Sequence, residues 1–324
     1  HQEMRLTCTP GDETIRLLTE IAEKKGEVKA YFLDKLEPSS REENKIDSIH
    51  ATLFLQNREL DRQKTADIIR KLSVRAPRDS IREIRSTLRI YENPSAYNPY
   101  SQDSLKIVNQ DLLRGNEGYK STYRDGIVHS YYWTGFIRMS IPSEEMREGM
   151  NELFHYLRHG KDPLIIKSCV CHYAIQFYEP FETNNEIISR FWQTLLLMKE
   201  YPLFEFLPWE KEILTGKKRY YSRLPGRDLN TDTTDFVNYM LDIIHIALSN
   251  LLESCRKKVG AIDRIRYFYN LGLDSFNRKD YMRVHKNIST ATASRDLNLG
   301  VETGFFIKQG TNNQTTYRCP LVFE

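Results

Sequence analysis

The chain has 324 residues, 40% of them hydrophobic, which suffices for two domains and a sizeable core. A formal charge of +3, from 47 Lys and Arg against 44 Asp and Glu, excludes a strongly polyanionic or polycationic protein. Charges interrupt every apolar stretch well before the ~18 residues of a membrane span, so no membrane partner is expected. No secretory leader is expected at His1, and the missing initial methionine reads as a trimmed chain or fragment. Cys8, Cys169, Cys171, Cys255 and Cys319 are odd in number and lack metal-type pairing. They predict free, mostly buried thiols, no metal site and a reduced, cytoplasmic setting.

In chain order, Ile15, Leu18, Ile21, Ala22, Val28, Phe32 and Leu36 predict a helix pair, or one helix interrupted at Gly26. Pro38 and two serines mark a boundary, with Ser39 or Ser40 as the cap of the next helix. From Asp61 to Tyr91 a charged helix is predicted, buried along Ile68, Ile69, Leu72, Ile81, Ile84, Leu88 and Ile90. Pro94 to Asp103 is a loop, and 104–115 a helix closed by Gly115. The β-prone run 127–139, carrying Tyr131, Tyr132 and Trp133, supplies a hairpin.

Two apolar helices follow. Cys169, Val170, Tyr173, Ala174, Phe177 and Phe181 recur at helical steps, as do Ile187, Ile188, Phe191, Leu195 and Met198. Pro180 biases Glu179 away from helical geometry, so the chain breaks there and restarts near Thr183. Thr183-Asn-Asn-Glu186 has the S/T-x-x-E spacing of a capping box, which would fill the helix's anion site from within.

That loop, Glu179-Pro-Phe-Glu-Thr-Asn-Asn-Glu-Ile187 through Arg190, resembles the signature HPFx(D/E)GN(G/K)RxxR of the Fic (Fic/DOC) family. Pro180, Phe181, Asn185 and Arg190 match; Glu179 falls on the histidine, Thr183 on the acid, Asn184 and Glu186 on the glycine positions and Ile187 on the first arginine. Outside the loop, Ser121-Thr-Tyr-Arg124 with the 127–139 hairpin is similar to the segment before the family's flap. Residues 142–157, 219–224 and 232–241 are also similar. The resemblance implies a mainly α, Fic-like helical core with a β-hairpin flap. In active members it implies AMP transfer from ATP to a protein hydroxyl, with the histidine as base and the acid holding Mg²⁺. The helix N-terminus and arginines would cradle phosphates. The flap, here Tyr131, Tyr132 and Trp133, would clamp the modified segment.

On this resemblance Glu179 is the candidate catalytic residue, and Asn184, Asn185, Glu186 and Arg190 are the candidate nucleotide-binding residues. An unperturbed carboxylate, of pKa near ~4.3, is a weak base at pH 7, and Thr183 cannot supply a metal-binding charge. ATP and Mg²⁺ are therefore cofactors only if chemistry survives. The run Glu42-to-Leu55 is similar to the family's inhibitory helix. Alignment on Ala51-Thr-Leu53 puts the inhibitory glutamate on Asp47, or on His50 in the neighbouring register, and predicts an Asp47–Arg190 ion pair.

Residues 256–324 hold 12 Lys and Arg against 6 Asp and Glu, so the charge gathers there. Helical spacing over Asp263–Leu271 and Phe276–Val284, then Ser289 opening TATASRDLNL, reads as helix, helix, turn, helix. Two strands near 304–308 and 315–318 follow, joined by Gly-Thr-Asn-Asn. The order resembles a winged helix-turn-helix domain. Thr290, Thr292, Ala293 and Arg295 would face a DNA groove, with Lys308 and Arg318 near phosphates. The division expected is 1–100 and 101–255 for the Fic-like unit and 256–324 for the winged helix. Three functions follow: a degenerate Fic protein acting as regulator or scaffold, a divergent nucleotidyl- or phosphotransferase, or a DNA-binding regulator whose core senses a ligand. Partners to consider are a protein target, DNA and a second copy in a homodimer.

Overall fold

The computed structural model describes residues 4–32, 36, 38–56, 60–131, 137–226, 229–257 and 260–320. Tyr132, Trp133 and the side chain of Tyr131 fall outside them. The described chain is mainly helical and divides into two compact units, His1–Ile21 with Glu37–Ala247, and Ala22–Leu36 with Leu248–Glu324.

The first unit is built around α7 (Leu164–Tyr178) and α8 (Asn185–Glu200), which pack along one another. Every residue of α7 from Ile165 to Tyr178 is buried, and α8 is buried from Ile187 to Leu197. Such all-round burial requires neighbours on every side. They are α2 (Pro38–Leu55), α5 (Gln102–Leu112) and α6 (Ser143–His159). Amphipathic α6 presents Met146, Met150, Leu153, Phe154 and Leu157 to the core. Gly149 lets its backbone lie against Tyr178, whose ring a Cβ would meet at 2.0 Å.

Between α5 and α6 stand β1 (His129–Tyr131) and β2 (Ile137–Met139), antiparallel with Ser130 opposite Arg138. In β2 the alternation is inverted, for Arg138 is buried while Ile137 and Met139 are exposed. The remaining helices of this unit are α3 (Arg62–Ile69), α4 (Arg78–Glu92), α9 (Glu210–Leu214) and α10 (Lys217–Arg223), with the first part of α1 (Asp12–Phe32) and of α11 (Thr234–Lys257).

Some expectations need correction. Helix α1 continues through Gly26 without interruption. The single helix expected over 61–91 is two, because Lys71 turns left-handed at φ 60° and Pro77 bars helical geometry just before α4. Leu72, expected in the buried stripe, lies in that break and is exposed. Of the cysteines only Cys169 and Cys171 are buried, the other three being half-buried.

The second unit contains α12 (Ala261–Asn270), α13 (Arg278–Val284), α14 (Thr290–Glu302), β3 (Ile307–Gln309) and β4 (Thr316–Arg318). Its core is Ile265, Phe268, Phe276, Tyr281, Ala293, Leu297, Phe306 and Tyr317. Phe276, in extended chain before α13, exchanges two backbone hydrogen bonds with Tyr317 and stacks on its ring. Asp296 of α14 receives a two-pronged ion pair from Arg264 at 2.6 and 2.9 Å and a hydrogen bond from the Tyr281 hydroxyl. A buried carboxylate is tolerable only when satisfied in this way.

Two outcomes test the first unit. In Gly149→Ala the new methyl would overlap the buried Tyr178 ring, and overpacking is expected to exceed the gain in helix propensity, with a net loss of about 1–3 kcal/mol in urea unfolding. Glu210, at the start of α9, is buried with its carboxyl accepting the Tyr91 hydroxyl at 3.0 Å, and burial pushes its pKa up to about 7. A raised folded pKa gives a stability contribution that is complete below pH 4.5 and lost as pH climbs through about 7. Relative to Glu210→Gln, the native chain should lose up to ~1.4 kcal/mol per pH unit across that window in denaturation measured pH by pH.

Candidate functional site

The loop between α7 and α8 starts from a helix end. Its last carbonyls lack intrahelical partners, and two buried arginines supply them. Arg124 donates to the carbonyls of Glu179 at 2.6 Å, Tyr178 at 3.0 Å, Ile141 at 2.7 Å and Gly126 at 2.8 Å. Arg138 reaches from β2 to the carbonyls of Gln176 at 2.6 Å and Phe177 at 3.3 Å. A helix C-terminus favours cations, so the two guanidinium groups suit the dipole they sit on. Burial and the nearby Arg138 and Arg147 pull Arg124 down to about 10, and the carbonyl ring compensates.

Glu179 closes α7 in the left-handed region, at φ 46° and ψ 63°, with Pro180 after it. For a non-glycine residue that costs roughly 1–2 kcal/mol. The cost is offset where the side chain goes, because the Glu179 carboxylate forms a buried ion pair with Arg138. Both side chains are within 3% of full burial. The carboxylate is thus turned toward protein and away from solvent. Sequence reasoning missed Arg138, though a lone arginine inside a β-prone run was its one visible signal.

Next, Asn185 clamps the loop by accepting from the Phe181 N–H at 3.0 Å and donating to the Phe181 carbonyl at 2.9 Å. Asn184 precedes α8 at φ 72°, a conformation asparagine tolerates, and its amide donates to Asn109 at 3.0 Å. No side chain caps α8. The expected Thr183–Glu186 capping box therefore does not form, because a left-handed Asn184 takes the cap position and Glu186 turns inward.

There the Glu186 carboxylate accepts from the Tyr221 hydroxyl at 3.3 Å and lies 3.8 Å from Arg190 Nη1, one turn on. Burial raises its pKa, and Arg190 and Tyr221 oppose the shift. Arg190 is wholly buried. It donates to the Thr52 hydroxyl at 2.7 Å, the Thr52 carbonyl at 3.0 Å and the Tyr220 hydroxyl at 3.4 Å.

The expected Asp47–Arg190 pair is not made. Asp47 instead accepts from Arg62 at 2.6 Å and Lys211 at 3.2 Å, and His50 meets the Leu60 carbonyl. Thr52 lies five residues further along α2, roughly 140° around the helix. Helix α2 meets Arg190 through the Thr52 hydroxyl and carbonyl, with no carboxylate in that place.

Behind Arg190 a directional chain follows. Gln193 Oε1 can only accept, so His172 Nδ1 donates to it at 2.6 Å, leaving Nε2 to accept from Tyr220 at 2.6 Å. The imidazole is neutral, held down to about 3 by burial.

A Mg²⁺-triphosphate does not fit these residues. Thr183 offers a hydroxyl where the metal needs charge, and Ile187 is a buried apolar side chain where an arginine would meet phosphate. Glu186 sets a carboxylate 3.8 Å from Arg190, the guanidinium that would otherwise meet phosphate. Among the described residues no group of three or more His, Cys, Asp or Glu side chains could hold a metal ion.

In the second unit, Ser289 caps α14 as expected by accepting from the Thr292 N–H at 3.1 Å. Thr290 and Arg295 are exposed, Arg295 donating to the Thr292 hydroxyl at 3.4 Å. Ala293, expected to face a groove, is core. Lys308 pairs across the hairpin with Tyr317 and Arg318 with Ile307, so the two cations occupy opposite faces and are not brought together.

No family model matches the chain, and no curated protein matches it. Solved structures do. A Fic family protein from Desulfovibrio desulfuricans G20 is 24% identical and superposes with a TM-score of 0.75 over 100% of both chains. A Fic domain containing signaling protein from Bacteroides thetaiotaomicron VPI-5482 is 16% identical, TM-score 0.58, over 74% of this chain and 97% of its own. Fic-1 of C. elegans, residues 134–508, is 15% identical, TM-score 0.58, over 76% of this chain and 73% of its own. The helical core with its flap and its α7–α8 loop thus has the fold of the Fic proteins.

Proposed function

We propose that this protein is a Fic-fold regulator or scaffold that does not transfer AMP. The observation that carries the reading is the buried Arg138–Glu179 pair, at the position where the Fic signature has its histidine. A base must be free to reach the hydroxyl it deprotonates, and this carboxylate is held by the flap strand. Arg190, engaged by Thr52 and flanked by Glu186, supports the same reading from the phosphate side. We read the second unit as a winged helix that contacts DNA. Support comes from its element order and from the charge excess of residues 256–324.

Isothermal titration of ATP, with and without Mg²⁺, is expected to give no micromolar binding. Micromolar heat that disappears in Arg190→Ala would overturn the reading in favour of a divergent transferase. Rebuilding the loop with Glu179→His, Thr183→Asp, Glu186→Gly and Ile187→Arg is expected to stay silent in an assay of labelled AMP transfer until Arg138→Gln is added. Activity without that fifth change would show that the arginine is no lock. Breaking the pair from one side, in Glu179→Ala, should cost about 3–5 kcal/mol in urea unfolding; a loss under ~1 kcal/mol would mean that the pair contributes little.

A further inference from the structure

The second unit carries an open cleft of about 780 Å³, bounded by Asn277, Arg278 and Lys279 at the start of α13, by Ser294 of α14, and by Lys308 with residues 312–317 of the hairpin. Three of its lining side chains are cationic and none is acidic. The carboxylate nearest in sequence, Asp280, is taken up by the Asn277 N–H at 2.9 Å and by Arg283 at 3.1 Å. Arg278 bonds the Ser294 hydroxyl at 3.1 Å, which aims its guanidinium along the solvent side of α14.

The lining also says what the cleft does not take. A protein partner needs apolar anchors, and Tyr317, the one aromatic here, is 7% exposed. Single-stranded nucleic acid needs aromatic faces on which bases stack, and none is offered. Alongside, α14 presents Thr290, Ala291, Arg295 and Asn298 to solvent, small or polar side chains that allow close approach. A helix of this kind fits the ~12 Å major groove of a duplex.

We propose that this cleft seats successive backbone phosphates of duplex DNA, held by Arg278, Lys279 and Lys308, and so fixes α14 against the groove. The assignment rests on the DNA-contact reading of the second unit and adds Arg278 and Lys279 to it. It also leaves Arg318, on the other face of the hairpin, outside the contact.

The test is fluorescence anisotropy of the full chain with a labelled mixed-sequence 20-base-pair duplex, over ~50 to 200 mM KCl. Three phosphate contacts predict an affinity roughly 40-fold weaker at the upper salt concentration, from a slope of about −0.9 per contact. Arg278→Ala, Lys279→Ala and Lys308→Ala should each reduce that slope by about 0.9, and Arg318→Ala should leave it unchanged. Binding whose slope ignores the three variants, or follows Arg318, would overturn the cleft and leave the DNA reading standing. Equal affinity for the single-stranded 20-mer would overturn the duplex assignment. No binding at ~50 mM KCl would overturn both the cleft and the DNA reading.

Discussion

Two guanidinium groups at the C-terminal end of α7 hold the first unit's site together. Arg124 and Arg138 come from chain segments before and within the flap, yet both finish on the same helix end, taking the carbonyls of Gln176, Phe177, Tyr178 and Glu179. A buried carbonyl without a donor costs about 1–3 kcal/mol, so four such groups fix the arginines in place. The arginines in turn fix everything attached to them: the Ile141 and Gly126 carbonyls beside the hairpin, the Pro180 turn through the Arg124 N–H, and the Glu179 carboxylate. Loop, flap strand and helix end therefore form one hydrogen-bonded body.

Much of this frame was legible in the residues. The three- and four-residue recurrence through α7 and α8, the break at Pro180 and the serine cap of α14 are local properties, set within one or two turns of chain. What escaped were the partners fixed by distant segments. Arg138 sits in a run that reads as an ordinary strand, where an arginine between isoleucine and methionine is expected to face water, but the packing inverts the strand. Asp47 was the reasonable acid on α2, yet only the docking angle of that helix decides that Thr52 meets Arg190. The capping box failed for a related reason, since its spacing was right but Asn184, drawn left-handed toward Asn109, displaced it.

The two polar interiors of the first unit follow one rule. Around Arg190 a charge is surrounded by neutral acceptors, Thr52 and Tyr220, and one flanking carboxylate; around Arg138 it is met by carbonyls and one carboxylate. The Arg190 arrangement does not resemble an anion site awaiting a ligand, because its donors already point at the oxygens of Thr52 and Tyr220. The second unit shows the contrary pattern: among the described residues Arg278 donates to the Ser294 hydroxyl, in a cleft whose lining holds no acid.

The pairing of Glu179 with Arg138 also bears on how such a chain can change over generations. Exchanging either residue alone strands a charge in the interior, so the intermediate genotype is penalised whichever comes first. The pair can be left smoothly only by exchanging both residues together, and drift on the surface around it does not supply that double change.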